Sequence, residues 1–184
     1  MRNFILPLFT ALAASVAAAD PTPPGFEFLY TVNATLSPAI EIGPGPQGNR
    51  KAIPIIGGEF HGPKLNGKVA NLGADWGLTD QYGTFHPDTR YHFTTDDGAQ
   101  IFIRTSGPAQ KDGTIHLHCL FETGHPDYYW LNNVVAVGIL NGGDGYVVID
   151  TWQVRCVIPK RDWEGIIDEE STNLPFVHTV DFAG

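Results

Sequence analysis

Residues 90–105, RYHFTTDDGAQIFIRT, decide the fold class of this chain. Apolar and polar residues alternate in both halves of the stretch, Arg90 to Thr95 and Gln100 to Thr105, and a period of two is typical of a strand with one buried face. Between them, Asp96-Asp97-Gly98 favours a tight turn, because Asp-Gly tolerates the positive φ that hairpin turns require. The stretch therefore predicts a β-hairpin.

Similar alternation continues on both sides of the hairpin, while 21 glycines and 14 prolines leave few helix signals. From Phe26 to Leu36 the even positions are apolar, which places Asn33 of the sequon Asn33-Ala34-Thr35 on the opposite, solvent-facing side, where a glycan could be attached. Further strands are expected at 52–56, 67–72, 114–122, 133–140 and 145–158. Strands this numerous and evenly spaced predict a single antiparallel β-barrel of about eight or more strands, lipocalin-like in outline, or else a sandwich.

The two ends of the chain differ from this pattern. Residues 1–19 combine Arg2, an apolar stretch and a small-residue site at Ala17-Ala18-Ala19, which predicts a secretory signal peptide. Residues 20–158 are expected to form the barrel, and residues 159–184 an irregular acidic tail. We therefore expect a secreted protein with no membrane segment after cleavage, in the secretory pathway lumen or outside the cell.

Charge and cysteine content restrict the partners. The net charge of −9 becomes −10 when Arg2 is removed with the leader, and an acidic surface repels a phosphate backbone, so we expect no nucleic acid partner. The two cysteines, Cys119 and Cys156, predict a disulfide in an exported chain. The alternative is two unpaired cysteines packed as small hydrophobic residues.

The chain from Leu36 to Val154 resembles the family known as domain of unknown function 3237. The resemblance rests on a series of short blocks in order: Gly43-Pro44 with Gly48-Asn49-Arg50, 56–62 (IGGEFHG), 65–69 (LNGKV), 73–76 (GADW), 88–91 (DTRY), 97–99 (DGA) and 121–123 (FET) leading to 129–132 (YWLN). The resemblance implies an antiparallel β-barrel. It implies no particular reaction, so function has to be argued from the site.

Two of these blocks suggest a ligand pocket. Asp75-Trp76 and Asp88 to Tyr91 mix charges with large aromatic rings, a combination that is costly to bury without pairing or purpose. In the pocket hypothesis Asp75 is a general acid or base, Arg90 binds a substrate oxygen, and Trp76 and Tyr91 form walls. The alternative is an Asp75–Arg90 pair that ties two strands together.

Other candidate binding residues lie further along the resemblance. Tyr129, Trp130 and Asn132 could stack against an aromatic ligand and orient its oxygens, or the same segment could plug the barrel. Arg50 and Glu59 are additional candidates for substrate contact. The glycines around Glu59 favour strand bends or bulges rather than a phosphate loop.

Three residues of one predicted strand raise the question of a metal. His116, His118 and Glu122 project from one face, a spacing that resembles the first motif of the cupins. The second cupin motif is absent, so we expect neither a metal nor another cofactor. His118 remains a candidate for proton transfer.

Three functions are compatible with these features. The first is a cofactor-free isomerase, cyclase or lyase that acts on an aromatic or polyketide-like small molecule in secondary metabolism. The second is a non-catalytic binding protein of the lipocalin or dirigent type, and the third is a secreted interaction protein without a pocket. A homo-oligomer is compatible with each of them. The state of the barrel interior discriminates between these functions.

Overall fold

The computed structural model describes residues 22–156, so the predicted leader 1–19 and the tail 159–184 lie outside the described residues. It contains eleven strands and one 3₁₀ helix, Pro126–Asn133. In chain order the strands are β1 Gly25–Leu36, β2 Ile40–Gly45, β3 Gly48–His61, β4 Asn66–Asp75, β5 Leu78–Thr79, β6 Phe85–His86, β7 Asp88–Thr95, β8 Gln100–Ser106, β9 Ile115–Glu122, β10 Ala136–Gly142 and β11 Tyr146–Arg155.

Eight of these strands form a closed antiparallel barrel, which confirms the predicted fold. Around the barrel the order is β1, β11, β10, β9, β8, β7, β4 and β3, and β3 pairs with β1 to close the circle. The hairpin at 90–105 is the β7–β8 pair, in which Arg90 lies opposite Arg104 and Phe93 opposite Ile101. An eight-stranded barrel has an interior that side chains can fill or that can hold one small ligand.

A small second sheet extends from one end of the barrel. The first half of β3 leaves the barrel and pairs with β2 and β5, and β5 pairs with β6. This end also carries the first residues of β7 and β9, and we call it the cavity end. No helix in residues 22–156 is long and apolar enough to cross a membrane.

The side chains of β1 that face the barrel interior are not all the ones that the sequence predicted. A register shift between Phe28 and Tyr30 turns Leu29 inward, so Leu29, Tyr30 and Val32 are all buried. Phe28 and Phe26 therefore face outward, and Phe26 is 60% exposed, which makes the prediction of an apolar inner face from Phe26 onward wrong for the first two phenylalanines. Beyond the bulge the prediction is confirmed, and Asn33 is exposed.

Aromatic side chains fill the half of the barrel away from the cavity end. Phe60 and Phe93 stack with ring centroids 3.8 Å apart, and Tyr30 meets Phe93 edge to face at 5.3 Å. All three side chains are buried, and Phe121 packs edge to face against Tyr30. This cluster is a packed core, so only the other half of the interior can hold a ligand.

The 3₁₀ helix covers the same far end, since β9 runs from the cavity end to the helix. Leu131 is buried in the core, and Tyr128 donates a hydrogen bond to the Asp97 carboxylate at 3.0 Å. Asn132 binds the backbone of Thr123 through both its oxygen and its nitrogen, each at 2.9 Å. The segment is therefore a plug, the second of the two interpretations that the sequence left open.

The predicted disulfide is wrong, because Cys119 and Cys156 are both free. Cys119 points into the barrel and is buried, whereas Cys156 is exposed just after β11. The inward residues of β11 are Ile149, Thr151 and Gln153, so Cys156 does not share their parity. Trp152 and Val154 share the parity of Cys156 and lie on the outside of the barrel.

Candidate functional site

The cavity end of the barrel contains an internal cavity of about 90 Å³. Its walls come from all eight barrel strands, whose inward side chains converge there, and from Phe85 and Pro87. Most of the lining is aliphatic: Ala34, Leu36, Ile53, Ile55, Ile115, Leu140, Val147 and Ile149. Such a surface suits an apolar part of a small molecule.

Asp75 places a carboxyl group in the wall of this cavity. It is the last residue of β4 and faces inward, and its Oδ1 accepts a hydrogen bond from the backbone N–H of Asp88 at 2.9 Å. Burial raises the pKa of this carboxyl to about 6, an effect that the hydrogen bond from Asp88 partly offsets. Near neutral pH Asp75 is therefore present in both protonated and ionised forms, as a general acid or base requires.

A layer of polar side chains lies beneath the cavity. Tyr91 lines the cavity and is 2% exposed, and neither its hydroxyl nor that of Tyr30 has a hydrogen bond of normal geometry within residues 22–156. The same holds for the hydroxyl of Thr151. Burial raises the pKa of both tyrosines, so they stay protonated and can donate. Leaving a buried hydroxyl unpaired costs about 1–3 kcal/mol, so this layer reduces stability.

The small sheet shapes the entrance of the cavity. Phe85 of β6 and the following Pro87 lie in the cavity wall, and the backbone carbonyl of Phe85 accepts a hydrogen bond from Ala109 at 2.8 Å. The Lys51 ammonium lies 5.0 Å from the centroid of the Phe85 ring. A cation near the entrance favours the ionised form of Asp75 and opposes the effect of burial.

The structure separates Asp75 from Arg90, so both hypotheses that joined them are wrong. Arg90 has the parity of His92 and points outward, where its Nη1 lies 3.2 Å from the Asp88 carboxylate and its guanidinium 5.7 Å from the Trp76 ring. Leu72, Trp76, Arg90 and His92 line a groove of about 390 Å³ that is open on the outer surface of the barrel. Of the four predicted pocket residues in the two blocks, only Asp75 and Tyr91 reach the cavity.

Three other candidates also lie away from the cavity. Arg50 donates from Nη1 to the Trp76 carbonyl at 2.7 Å, which fixes the small sheet to the end of β4. Glu59 is exposed beside His61, with 3.7 Å between the nearest side-chain atoms. His118 is exposed on the outer face of β9 and cannot transfer a proton inside the barrel.

The face of β9 that suggested a metal is exposed to solvent. His116, His118 and Glu122 all point outward, and residues 22–156 contain no group of three or more His, Cys, Asp or Glu side chains that could hold a metal ion. The structure therefore offers no support for the cupin-like interpretation.

The aromatic segment in the 3₁₀ helix lies at the far end of the barrel from the cavity. Trp130 packs against the core with the Lys64 ammonium 5.6 Å from its ring, Tyr129 is 58% exposed, and Asn132 is used by the Thr123 backbone. These residues do not line the cavity that contains Asp75, so a ligand held in that cavity would not stack on them. Their role is to close the barrel.

Sequence reasoning missed most of the cavity wall. Thr89 and Thr105 face inward beside Tyr91, and Leu140 and Ile115 complete the opposite side. The parity of β7 contained the signal, because Tyr91 and Phe93 mark the inner face, and Thr89 shares their phase. Applied to Arg90, the same parity would have placed it outside.

Comparison with known proteins agrees with the barrel. The model for the family "Protein of unknown function (DUF3237)" matches residues 24–154. A UPF0311 protein of Rhodopseudomonas palustris strain TIE-1 is 31% identical over 147 residues, covering 70% of this chain and 95% of that protein. The hydroalkoxylation enzyme phnH of Penicillium herquei is 29% identical over 155 residues, covering 84% of this chain and all of that protein.

A solved structure gives the same result. The crystal structure of a β-barrel-like protein from Acinetobacter baumannii superimposes with a TM-score of 0.68 at 33% identity, over 75% of this chain and 100% of that one. The family match spans all eight barrel strands almost completely. This chain belongs to the DUF3237 family.

Proposed function

We propose that this protein is a cofactor-free acid–base enzyme with Asp75 as the proton carrier. The reaction adds the O–H bond of a hydroxyl group across a carbon–carbon double bond of a small molecule. The observation that carries the proposal is a buried carboxyl, with a pKa raised to about 6, in the wall of an otherwise largely aliphatic cavity. The type of reaction comes from the relative named hydroalkoxylation enzyme. The whole of that enzyme is similar to 84% of this chain.

The cavity volume limits which part of the substrate enters. An apolar cavity of about 150 Å³ is large enough for benzene, so 90 Å³ accepts a small alkenyl group and not a whole aromatic ring. A larger ring system stays at the entrance, near Phe85. This places the double bond inside the barrel, beside Asp75, and the bulk of the molecule outside.

The reaction is balanced without any other reagent. The hydroxyl O–H bond breaks, a C–O bond forms at one alkene carbon, and a C–H bond forms at the other, so nothing is oxidised or reduced. Asp75 accepts the hydroxyl proton in its ionised form and delivers a proton to carbon in its protonated form. The aliphatic walls exclude water, which would otherwise compete with the hydroxyl group.

A probe that carries both groups tests this proposal. 2-Allylphenol can close to 2-methyl-2,3-dihydrobenzofuran by addition of its own hydroxyl. In D2O the wild-type protein should give the cyclic product with one deuterium on carbon, and Asp75→Asn should be slower by about 10²–10⁴-fold, the usual contribution of general acid–base catalysis. Asp80→Asn is the matched control, because Asp80 lies in the turn between β5 and β6, outside the cavity lining.

Two results would contradict the proposal. Full activity of Asp75→Asn would remove Asp75 from the chemistry. Binding of the probe without turnover would favour the non-catalytic binding protein instead, a function that the mainly aliphatic lining also suits.

We also propose that the protein acts after export. The support is the leader-like sequence of residues 1–19, and the exposure of Asn33 leaves its sequon accessible to glycosylation. A shift in mass after treatment with a glycosidase, lost in Asn33→Gln, would support it, and recovery of the intact leader on a protein inside the cell would contradict it.

A further inference from the structure

Beneath the cavity, the polar layer contains neighbouring hydroxyl groups, those of Tyr91, Tyr30 and Thr151, that form no hydrogen bond of normal geometry within residues 22–156. Tyr91 is in the cavity wall and its side chain is 2% exposed; its hydroxyl lies near that of Tyr30 without a hydrogen bond of normal geometry, and no carbonyl or carboxylate within residues 22–156 accepts its proton. Tyr30 lies behind it, fully buried, with its hydroxyl in the same condition. Buried polar groups are nearly always paired, so an unpaired donor in a cavity wall points to a ligand atom that accepts.

The surroundings specify what kind of atom this is. The phenol of Tyr91 remains protonated, because burial holds its pKa far above the neutral range, so it offers a proton rather than a charge. Among the described residues, no Lys, Arg or His side chain lines the cavity, which argues against a carboxylate or phosphate. The chemistry that fits is a carbonyl oxygen.

We propose that the hydroxyl of Tyr91 binds a carbonyl oxygen of the substrate, and that the reacting double bond is conjugated to that carbonyl. The inference rests on the proposed function and makes α,β-unsaturated carbonyl compounds its preferred substrates, with an unconjugated alkene such as 2-allylphenol as a slower one. The hydroxyl oxygen attacks the β-carbon, the electron pair of the double bond moves to the carbonyl oxygen, and the Tyr91 hydroxyl stabilises the resulting enolate. Asp75, having taken the hydroxyl proton, returns it to the α-carbon.

The roles of the two side chains are complementary. A carboxyl near its pKa moves protons efficiently, but it is a weak acid toward an isolated alkene. A conjugated carbonyl lowers the acid strength that the addition requires. The negative charge then develops on the carbonyl oxygen, for which Tyr91 is already placed as a donor. Asp75 at the end of β4 and Tyr91 in β7 both point inward, so they line the same cavity.

A pair of probes of the same shape tests carbonyl recognition without turnover. Cyclobutanone and methylenecyclobutane differ only in carrying C=O or C=CH2, and both are smaller than benzene. Their affinities for the full-length protein are measured by NMR titration. Tyr91→Phe should weaken cyclobutanone binding roughly 3- to 10-fold, the value of one hydrogen bond, and should leave methylenecyclobutane unchanged.

Tyr128→Phe is the matched control, since it removes the same hydroxyl group from a tyrosine of the 3₁₀ helix, outside the cavity lining, where the hydroxyl donates to Asp97. This variant should leave both affinities unchanged. Equal affinities for cyclobutanone in wild type and Tyr91→Phe would overturn the proposal, and would mean that water satisfies the hydroxyl. A loss with Tyr128→Phe in place of Tyr91→Phe would overturn it as well.

Carbonyl recognition is assigned to Tyr91 and proton transfer to Asp75, so the two proposals can be refuted independently. The Tyr91-dependent preference for cyclobutanone should persist in an Asp75→Asn background, because that substitution removes proton transfer and leaves the hydroxyl of Tyr91. Loss of the preference in that background would overturn the assignment of the donor to Tyr91. Retained turnover by Asp75→Asn would instead refute the proposed function while leaving carbonyl recognition intact.

Discussion

Replacing Asp75 by Asn should stabilise the protein at neutral pH. The folded state raises the pKa of this carboxyl from 3.8 to about 6, mainly by burial, so ionising it in the folded protein is unfavourable. A rise of this size corresponds to roughly 3 kcal/mol. Below pH 3.8 the folded and unfolded forms are both protonated and nothing is lost, whereas above pH 6 the full penalty applies to the wild type and not to Asp75→Asn.

Urea unfolding between pH 3.5 and pH 8 measures this difference. The two proteins should have similar free energies of unfolding at the acid end, and Asp75→Asn should be more stable by up to roughly 3 kcal/mol at pH 7 and above. Since Asn can still accept the hydrogen bond from the N–H of Asp88, the local backbone is preserved. A catalytic group that reduces stability is expected where a site is organised for function.

Asp80→Asn provides a control in which the free energy of unfolding should change in the opposite direction. Its carboxylate pairs with His86 and accepts backbone hydrogen bonds, which hold the pKa of Asp80 below its usual value. That variant should lose stability at neutral pH, and the loss should disappear as the pH falls below the ordinary pKa of Asp. If Asp75→Asn were instead less stable than wild type at pH 7, or if its difference did not vary with pH, the burial argument would be refuted.

Three further outcomes follow from the fold. Gly58→Ala should destabilise the protein by at least about 3 kcal/mol in urea unfolding, because φ is +134° and an added Cβ would overlap the carbonyl of Asn33, whereas Gly57→Ala, also at positive φ but with open space around it, should lose roughly 1–2 kcal/mol. Of the two thiols, Cys156 should react rapidly with Ellman's reagent and Cys119 only on unfolding, since Cys119 is buried and its pKa is raised to about 12; two fast thiols, or none, would contradict this. Arg90→Ala should leave 2-allylphenol turnover unchanged, because Arg90 lies on the outer face, and a large loss would restore it to the site.

Much of the fold could be predicted from the sequence because strand alternation is a local property. The β7–β8 hairpin was evident from residues 90–105, and its inner face, Tyr91 and Phe93, was evident from parity alone. A bulge is harder to predict. The one at Leu29 shifts the phase of β1, and nothing in the alternation of Phe26 and Phe28 marks it.

The site was less predictable because it depends on which faces meet. Asp75 and Arg90 belong to neighbouring blocks, and Arg90 is one residue out of register with Thr89, the partner of Asp75. One residue along a strand reverses the face of the sheet, so a pair that looks joined in sequence is divided by the barrel wall. Burial of Asp75 and the unpaired donors around Tyr91 are properties of the assembled barrel and have no sequence signal.

The most direct test of the ligand site is to fill the cavity. Ala34→Leu adds three carbons to the cavity wall, and Leu72→Ala alters the outer groove as a control. With folding verified by circular dichroism, titration calorimetry with 2-allylphenol should show that Ala34→Leu abolishes binding and that Leu72→Ala binds like wild type. Undiminished binding by Ala34→Leu, together with a loss in Leu72→Ala, would place the ligand on the outer face and contradict the account.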